Sequence, residues 1–209
     1  PSDKELVVSP ADGRIMFVVR ERSTGRRPTN EEKKTGEIET HSLMGDWFPQ
    51  APENPLSFET EQRWEPVNSG EELPTDVFRI AIYMSPLDVH VQRSPISSKI
   101  VAMEHRTGKG RTRGPFQKAS KKESEANERV RTVFQSDDGI SIEVTQIAGA
   151  IARTIIPFSF ISDNLQRGER YGMIRLGSRV DIRVPAEGAQ PLVESNLMVL
   201  AGPTPLFRR

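Results

Sequence analysis

Short apolar runs separated by turns dominate the chain. Eight runs rich in Val, Ile and other apolar residues predict strands, and they lie at residues 6–8, 15–19, 77–84, 99–103, 130–134, 140–147, 173–176 and 180–184. The 15 glycines and 16 prolines are typical of the turns between such strands. A helix is an alternative only for residues 117–129, which are mostly polar, and 147–155. The pattern therefore predicts a mainly β fold with few short helices.

Residues 24–76 interrupt this pattern. The stretch is rich in Pro, Glu, Asn and Ser. After residue 52 it contains many acidic residues but a single basic one, Arg63. Since a structureless loop of this length is uncommon within a compact domain, its aromatic residues are expected to attach it to the surface. These residues are Trp47, Phe48, Phe58 and Trp64. We interpret the stretch as a long, irregular, acidic insertion in a single domain spanning residues 1–209, and expect no catalytic residue in it.

A weak internal repeat adds a candidate architecture. The sequence SPADGRI at residues 9–15 recurs in outline as SPISSKI at residues 94–100, each time as a Pro-containing turn that leads into a strand. Such units are similar to those in the barrel-sandwich hybrid of lipoyl and biotinyl carrier domains. That fold is therefore expected by analogy alone.

Composition excludes several classes of function. The 29 Lys and Arg residues balance 29 Asp and Glu residues, so no net charge favours a nucleic-acid partner. The absence of cysteine excludes disulfides, thiol nucleophiles and cysteine-based metal sites, and no other metal site is indicated. The longest apolar stretch, residues 147–161, is broken by Arg153 and Pro157, so no membrane-spanning segment is predicted.

The three histidines differ in their context. His41 lies in the insertion and His105 borders a charged loop, so both are expected to be exposed and without a role. His90 follows an apolar strand and a Ser-Pro turn. A polar group at such a junction is held by the scaffold while it faces a cleft, which makes His90 the candidate for acid-base chemistry.

The Gly177-Ser178 pair has two interpretations. Spacing alone favours a tight turn between two strands. The alternative is a self-processing site, because Gly177 has no side chain to shield its carbonyl group. The hydroxyl of Ser178 then attacks that carbonyl if a base removes its proton.

Five segments together carry a resemblance to a known family. They are SPADG at residues 9–13, SPLDVH at 85–90, NER at 127–129, QIAGAIAR at 146–153 and LGSR at 176–179. They occur in the order found in phosphatidylserine decarboxylase proenzymes, and the chain resembles the short form of that family over residues 6–20 and 77–185. Arg93 stands where the long form has a second histidine, and Arg179 stands where it has threonine.

The resemblance implies a carboxy-lyase made as a self-cleaving proenzyme. Ser178 is then both the nucleophile and the precursor of a covalent pyruvoyl group, with Asp12 and His90 supporting it. Cleavage after Gly177 would separate residues 1–177 from residues 178–209. The pyruvoyl group would serve as an electron sink while phosphatidylserine loses carbon dioxide to become phosphatidylethanolamine, and His90 would return the proton.

The resemblance also bears on partners and location. A basic run at residues 106–122 is either a solvated loop or a contact with anionic headgroups. The candidate headgroup contacts are Arg111, Arg113, Lys121 and Lys122. The family implies a peripheral position at the cytoplasmic face of a membrane, association of the two processed chains, and a homodimer.

Other functions remain open on the sequence. The first is a pyruvoyl decarboxylase of another amino-acid-bearing substrate, and the second is an unprocessed relative that serves as a binding or scaffold module. Intact Asp12, His90, Gly177 and Ser178 argue against the second. A carrier domain modified on lysine ranks last, because Lys99 lies where a strand is expected to begin.

Overall fold

The computed structural model describes residues 5–23, 37–40, 76–106, 127–149, 154–175 and 177–209. These ranges contain fifteen strands and no helix. The strands are β1 (Leu6–Val8), β2 (Gly13–Ser23), β3 (Glu37–Thr40), β4 (Asp76–Met84), β5 (Val91–Arg93), β6 (Ser98–Arg106), β7 (Arg129–Gln135), β8 (Ser141–Ile147), β9 (Ile155–Pro157), β10 (Asn164–Leu165), β11 (Arg170–Ile174), β12 (Ser178–Pro185), β13 (Gln190–Pro191), β14 (Met198–Val199) and β15 (Pro205–Arg208). The mainly β prediction is confirmed, and each of the eight predicted runs overlaps a strand, although the run at 173–176 does so only at its first two residues.

The strands form three sheets. Nine of them form one sheet in the order β10-β6-β7-β8-β12-β4-β2-β14, with β3 paired to β2 as well. Two smaller sheets have the orders β1-β15-β13 and β5-β11-β9. Pairing is antiparallel except between β2 and β3. The described strands do not close into a barrel.

The large sheet has two chemically different faces because side chains alternate along each strand. In β12, Val180 and Ile182 lie in the hydrophobic core, whereas Arg179, Asp181 and Arg183 lie on the opposite face. The small sheets cover the apolar face, as two ring contacts show. Phe78 lies 6.2 Å from Phe207, and Phe134 meets Tyr171 edge-on at 5.0 Å.

The two copies of the internal repeat form the same turn. The hydroxyl of Ser9 donates to the carbonyl of Ala11 across 2.7 Å, and the hydroxyl of Ser94 donates to the carbonyl of Ile96 across 2.7 Å. Sequence similarity between the two segments therefore corresponds to equal local geometry.

The two turns also contact each other reciprocally. The N–H of Val8 donates to the carbonyl of Pro95 at 3.0 Å, and the N–H of Arg93 donates to the carbonyl of Pro10 at 2.9 Å. Each bond runs from the flank of one turn to the proline of the other. The turns are therefore related by an approximate twofold axis, which ties the chain before β2 to the chain before β6.

Some sequence expectations fall outside the described ranges. They concern His41, the four aromatic residues of the insertion and the basic run from residue 107 onward. Within the insertion, β3 extends the large sheet beside β2, so the insertion is not irregular throughout. No helix in the described part of the chain is long and apolar enough to cross a membrane.

Candidate functional site

The family-like segments converge at one end of the large sheet. Across the neighbouring strands β7, β8, β12, β4 and β2, successive pairings form one row. The row consists of Arg129, Ile147, Arg179, Tyr83 and Arg14. Because neighbouring strands are antiparallel, this end collects the starts of β7, β12 and β2 and the ends of β8 and β4. We call it the motif edge, since the described residues of all five segments lie on it or next to it.

Ser178 lies at the motif edge as the first residue of β12. It pairs with Met84, the last residue of β4, and it is fully buried. Its hydroxyl lies 3.5 Å from the Met84 sulfur, which is a weak acceptor. The nucleophile candidate is therefore shielded from water and loosely held.

Gly177 precedes Ser178 in a conformation that favours glycine. Its φ angle is +67°, in the left-handed region. A Cβ atom added here would meet only Pro86, at 3.9 Å, so space is available. Backbone conformation, and not crowding, makes glycine the favoured residue before Ser178.

His90 contacts this junction through its ring. Its Nδ1 lies 2.6 Å from the carbonyl oxygen of Asp88, which can only accept, so Nδ1 carries a proton. Its Nε2 then accepts the backbone N–H of Gly177 at 3.0 Å. The imidazole is thus the neutral tautomer with its lone pair directed at the Gly177-Ser178 junction.

The loop that carries His90 is held by Asp88. Its carboxylate accepts the backbone N–H of Ser85 at 2.6 Å, and its own N–H donates to the Ser85 carbonyl at 3.0 Å. This closed turn fixes the Asp88 carbonyl that orients His90. Sequence reasoning gave Asp88 no role, although Ser-Pro followed by Asp is a typical turn signal.

Two buried glutamines support His90 from inside the fold. The amide of Gln92 donates to the His90 carbonyl at 3.1 Å and contacts the Met84 sulfur at 3.5 Å. Its oxygen accepts from Gln146 at 2.8 Å. Both glutamines were missed as site residues. The available signal was a polar amide at an inward position of an apolar strand, where an unpaired amide is costly.

Asp12 lies on the motif edge but not against His90. Its carboxylate accepts the N–H of Ala201 at 2.6 Å. Asp12 and Gly177 each lie one residue beyond the row that contains Gly13 and Ser178, on strands separated by β4, so their backbones are about 10 Å apart at the usual strand spacing. Within the described residues, Asp88 and Gln92 hold His90, whereas Asp12 binds the 200–204 segment to the motif edge through Ala201.

Gly13 fixes the position of Asp12. Its φ angle is +143°, and an added Cβ would lie 2.2 Å from the carbonyl oxygen of Tyr83. No side chain fits at this distance. The close approach of β2 to β4 therefore requires glycine next to Asp12.

A buried charge cluster anchors the start of β12. Asp181 accepts from Arg179 at 2.6 Å and from Arg79 at 2.5 Å. Both guanidinium groups lie over the ring of Phe17, at 5.1 and 5.4 Å. Burial alone raises the pKa of Asp181, but the charges and hydrogen bonds of Arg179 and Arg79 outweigh it and hold that pKa below its usual value. The residue after Ser178 is thereby locked in place.

The expectation for His105 is wrong. It is 5% exposed, and its Nε2 lies 3.0 Å from a carboxylate oxygen of Glu128. The reason is that β6 continues to Arg106, so position 105 lies within a strand and not in a loop. Arg93, at the position of the long form's second histidine, donates to the carbonyl of Gly168 at 2.7 Å, outside the His90 contacts. Arg111, Arg113, Lys121 and Lys122 lie outside the described residues.

One family of known proteins matches nearly the whole chain. The sequence model described as "Phosphatidylserine decarboxylase" matches residues 1–206. The chain belongs to the phosphatidylserine decarboxylase family. No solved structure matches the chain.

Two bacterial members of the family are similar to about two thirds of the chain. The phosphatidylserine decarboxylase proenzyme of Thermobifida fusca is 44% identical over 142 residues, which cover 68% of this chain and 62% of the relative. The proenzyme of Streptomyces griseus is 45% identical over 130 residues, covering 62% of this chain and 57% of the relative. The chain spans less than two thirds of the length of these relatives.

An archaeal relative covers the whole chain. A protein of Methanothermobacter thermautotrophicus, named for archaetidylserine decarboxylase proenzymes, is 33% identical over 208 residues. The match covers 100% of this chain and 74% of the relative. The family name therefore extends to relatives whose names carry different serine lipids.

Proposed function

We propose that the chain is a self-processing, pyruvoyl-dependent decarboxylase that converts phosphatidylserine to phosphatidylethanolamine and carbon dioxide. Family membership and the names of the relatives support the reaction. The contact between the Gly177 N–H and His90 Nε2 is the observation that supports the site, because it brings a neutral imidazole to a Gly-Ser junction.

Cleavage begins with attack of the Ser178 hydroxyl oxygen on the Gly177 carbonyl carbon. His90 takes the hydroxyl proton, since its Nε2 is the unprotonated nitrogen and is hydrogen-bonded to the Gly177 N–H, whose nitrogen lies two covalent bonds from that carbon. The hydroxyl must first turn away from the Met84 sulfur, which costs little because a thioether is a weak acceptor. The ester that replaces the amide then undergoes elimination, which releases Gly177 as a carboxylate and leaves residue 178 dehydrated. Hydrolysis of this dehydrated residue releases ammonia.

The product of these steps is a pyruvoyl group at the start of the chain beginning at position 178, which supplies the electron sink for decarboxylation. Asp88 and Gln92 continue to hold His90 beside this position, because their contacts do not involve the cleaved bond. His90 then delivers a proton to the substrate carbon from which carbon dioxide has left. Acid-base groups of this kind contribute about 10²–10⁴-fold.

Asp12 acts through its charge. Its carboxylate lies on the same edge, on a backbone about 10 Å from that of Gly177, and its negative charge stabilises the imidazolium that forms when His90 takes the Ser178 proton. Its hydrogen bond to Ala201 holds that charge in place.

The archaeal relative favours a second candidate substrate. That relative matches the whole chain, and its name carries a serine lipid with a different, archaeal core. Among the described residues, the motif edge contains the groups proposed for cleavage but no group that identifies the acyl chain. Both phosphatidylserine and archaetidylserine are therefore tested as substrates.

The protein acts at the periphery of a membrane, at its cytoplasmic face, with the basic residues Arg111, Arg113, Lys121 and Lys122 near anionic headgroups. Its two processed chains stay together, and two copies form a homodimer. Sedimentation at equilibrium measures the mass of the assembly and checks the last statement.

The experiment is intact-mass analysis of the purified protein together with its Ser178→Ala variant. We expect two wild-type chains, residues 1–177 and residues 178–209, the latter lighter by one ammonia than a peptide beginning with serine. Ser178→Ala should remain one chain, whereas Ser195→Ala, which alters an exposed serine, should cleave normally.

Processed protein should release carbon dioxide from phosphatidylserine in detergent micelles. Cleavage of Ser178→Ala at the same bond would overturn the nucleophile. Processed wild-type protein that releases carbon dioxide from neither phosphatidylserine nor archaetidylserine would overturn the lipid decarboxylase function.

A further inference from the structure

Exposed apolar side chains cluster at the motif edge. The described residues contain seven exposed large apolar side chains, and five of them lie on two short segments. The five are Leu87, Val89, Leu197, Met198 and Leu200. Leu87 is 96% exposed at the tip of the loop that carries His90, and Leu200 is 58% exposed. Apolar side chains concentrated in this way mark a contact surface.

The two segments lie at the same end of the large sheet, one on and after β14 and the other after β4, with β2 between them. In β14, Met198 pairs with Arg14 on β2, and the chain then passes Asp12 through the bond from the Ala201 N–H. Arg14 in turn pairs with Tyr83, just before the loop that carries Leu87. Both segments therefore border the same edge that carries Gly177 and Ser178. We call the five side chains the apolar rim.

Cations accompany the apolar rim. Arg14, which pairs with Met198, is exposed and donates to the carbonyl of Asn196 at 3.2 Å. Arg175 is exposed two residues before Gly177. Glu194 is an exposed acid on the segment that leads to β14. Apolar side chains with flanking guanidinium groups match an interface that has an acyl layer beneath anionic headgroups.

We propose that the apolar rim docks on a phospholipid bilayer, with Leu87 and Leu200 entering the acyl boundary and with Arg14 and Arg175 at the headgroup level. This inference rests on the proposed function, because a serine headgroup would then reach Ser178 without leaving the membrane. A second protein is a poorer match for the rim. Leu87 protrudes from a loop tip, and five side chains offer a few hundred Å² at most, below the roughly 800 Å² per partner of a stable protein interface.

Vesicle flotation of a double variant tests the docking surface. Leu87→Gln with Leu200→Gln removes two rim side chains, and Phe158→Gln with Leu192→Gln removes two exposed apolar side chains elsewhere as the matched control. Losing one inserted leucine corresponds to about a tenfold loss of partitioning. On vesicles of phosphatidylcholine and phosphatidylserine, we expect the rim variant to bind at least tenfold more weakly and the control variant to bind like the wild type.

Activity with two forms of substrate separates docking from chemistry. The rim variant should self-cleave normally and process short-chain, water-soluble phosphatidylserine like the wild type, but lose about tenfold on vesicles. Equal loss on both substrates would assign the rim to the catalytic site and overturn docking. Wild-type binding of the rim variant to vesicles would also overturn it, and a change in sedimenting mass would then identify an interface between copies. A wild type that binds vesicles through the rim but decarboxylates neither substrate would contradict the proposed function and leave docking supported.

Discussion

The backbone N–H of Gly177 donates to Nε2 of His90 across 3.0 Å, so the nitrogen that must accept the Ser178 proton is already occupied in the intact chain. Because Nδ1 is bound to the Asp88 carbonyl, the ring has no second free nitrogen. The proposed self-cleavage would therefore require the Gly177 hydrogen bond to open before the base can act. This local rearrangement would give a structural reason for the intact chain to persist before processing.

His90→Gln separates the hydrogen-bonding role of the ring from its role as a base. The amide oxygen of glutamine still accepts the Gly177 N–H, so the variant should fold normally, but it cannot take a proton near neutral pH. We expect self-cleavage to slow by about 10²-fold or more, measured as a time course on denaturing gels after cell-free synthesis. His105→Gln is the control and should cleave at the wild-type rate. Normal cleavage of His90→Gln would remove His90 from the mechanism.

Asp12→Asn tests whether the charge of Asp12 matters beyond its hydrogen bond. Asparagine keeps an oxygen acceptor for the Ala201 N–H, so the midpoint of urea unfolding should change little. Self-cleavage should slow by roughly tenfold, because the imidazolium that forms on His90 loses a stabilising charge on the same edge, worth about 1 kcal/mol. An unchanged cleavage rate would leave Asp12 with a purely structural role.

Alanine at the two edge glycines should have unequal effects. Gly13→Ala places a Cβ 2.2 Å from the Tyr83 carbonyl oxygen and should destabilise the fold strongly. Gly177→Ala has room and costs only the left-handed conformation, about 1–2 kcal/mol. Urea unfolding in the Ser178→Ala background, where the chain stays intact, provides the measurement. Equal destabilisation would show that the close approach of β2 and β4 is adjustable.

Gln92 and Gln146 should behave as a coupled pair. Gln92→Leu leaves the buried Gln146 amide without its partner and removes one of the two donors to the His90 carbonyl, which also accepts the Ile174 N–H. This change costs about 1–3 kcal/mol and should also slow self-cleavage. Changing both residues to leucine should cost less than the sum of the single changes, because no unpaired Gln146 amide remains. A double-mutant cycle on urea unfolding gives the coupling energy, and additive effects would contradict the pairing.

Asp181 predicts a pH dependence of stability. Its pKa is lower in the folded chain than in the unfolded chain, so its stabilisation is complete above the ordinary aspartate value and is lost as pH falls toward the folded value. Asp181→Asn should lose about 3–5 kcal/mol at pH 7, since two buried guanidinium groups lose the Asp181 carboxylate, and the difference from wild type should shrink in acid.

The control for this pH dependence is Asp138, whose pKa is also lowered, chiefly by the Ser136 hydroxyl, but whose side chain is 57% exposed. Asp138→Asn should barely change the unfolding midpoint at either pH. A difference between Asp181→Asn and wild type that is constant with pH would contradict the ion-pair explanation.

The longer strands were predictable because their periodicity is local. Runs such as residues 77–84 alternate or stay apolar over enough positions to define a strand. The seven strands that escaped prediction are two to four residues long, and all of them except β15 are ordered by pairing with a longer neighbour. β14 is an example, since Met198 and Val199 carry no pattern of their own and are ordered by β2.

The site was only partly accessible from the sequence. Ser178, Gly177 and His90 were found through the family-like segments, and the structure brings His90 to Gly177. Gln92 and Gln146 were missed because their pairing joins residues 54 positions apart through sheet register, which no local spacing reveals. His105 was misjudged because the end of β6 depends on pairing with β7, which extends it to Arg106.

β12 lies in the middle of the large sheet, paired with β4 along its whole length and with β8 on its other side, while β15 lies between β1 and β13. The proposed cleavage falls immediately before β12, so every strand from β12 to β15 would belong to the shorter product. The intact chain folds by a first-order process, but the mature enzyme would unfold into two separate polypeptides. Its refolding would then depend on concentration, and dilution would make unfolding effectively one-way. Before maturation, folding and unfolding of the chain would be a reversible equilibrium. After maturation, the lifetime of the folded enzyme would be set by its rate of unfolding, because the covalent link needed to assemble the enzyme is absent from its working form.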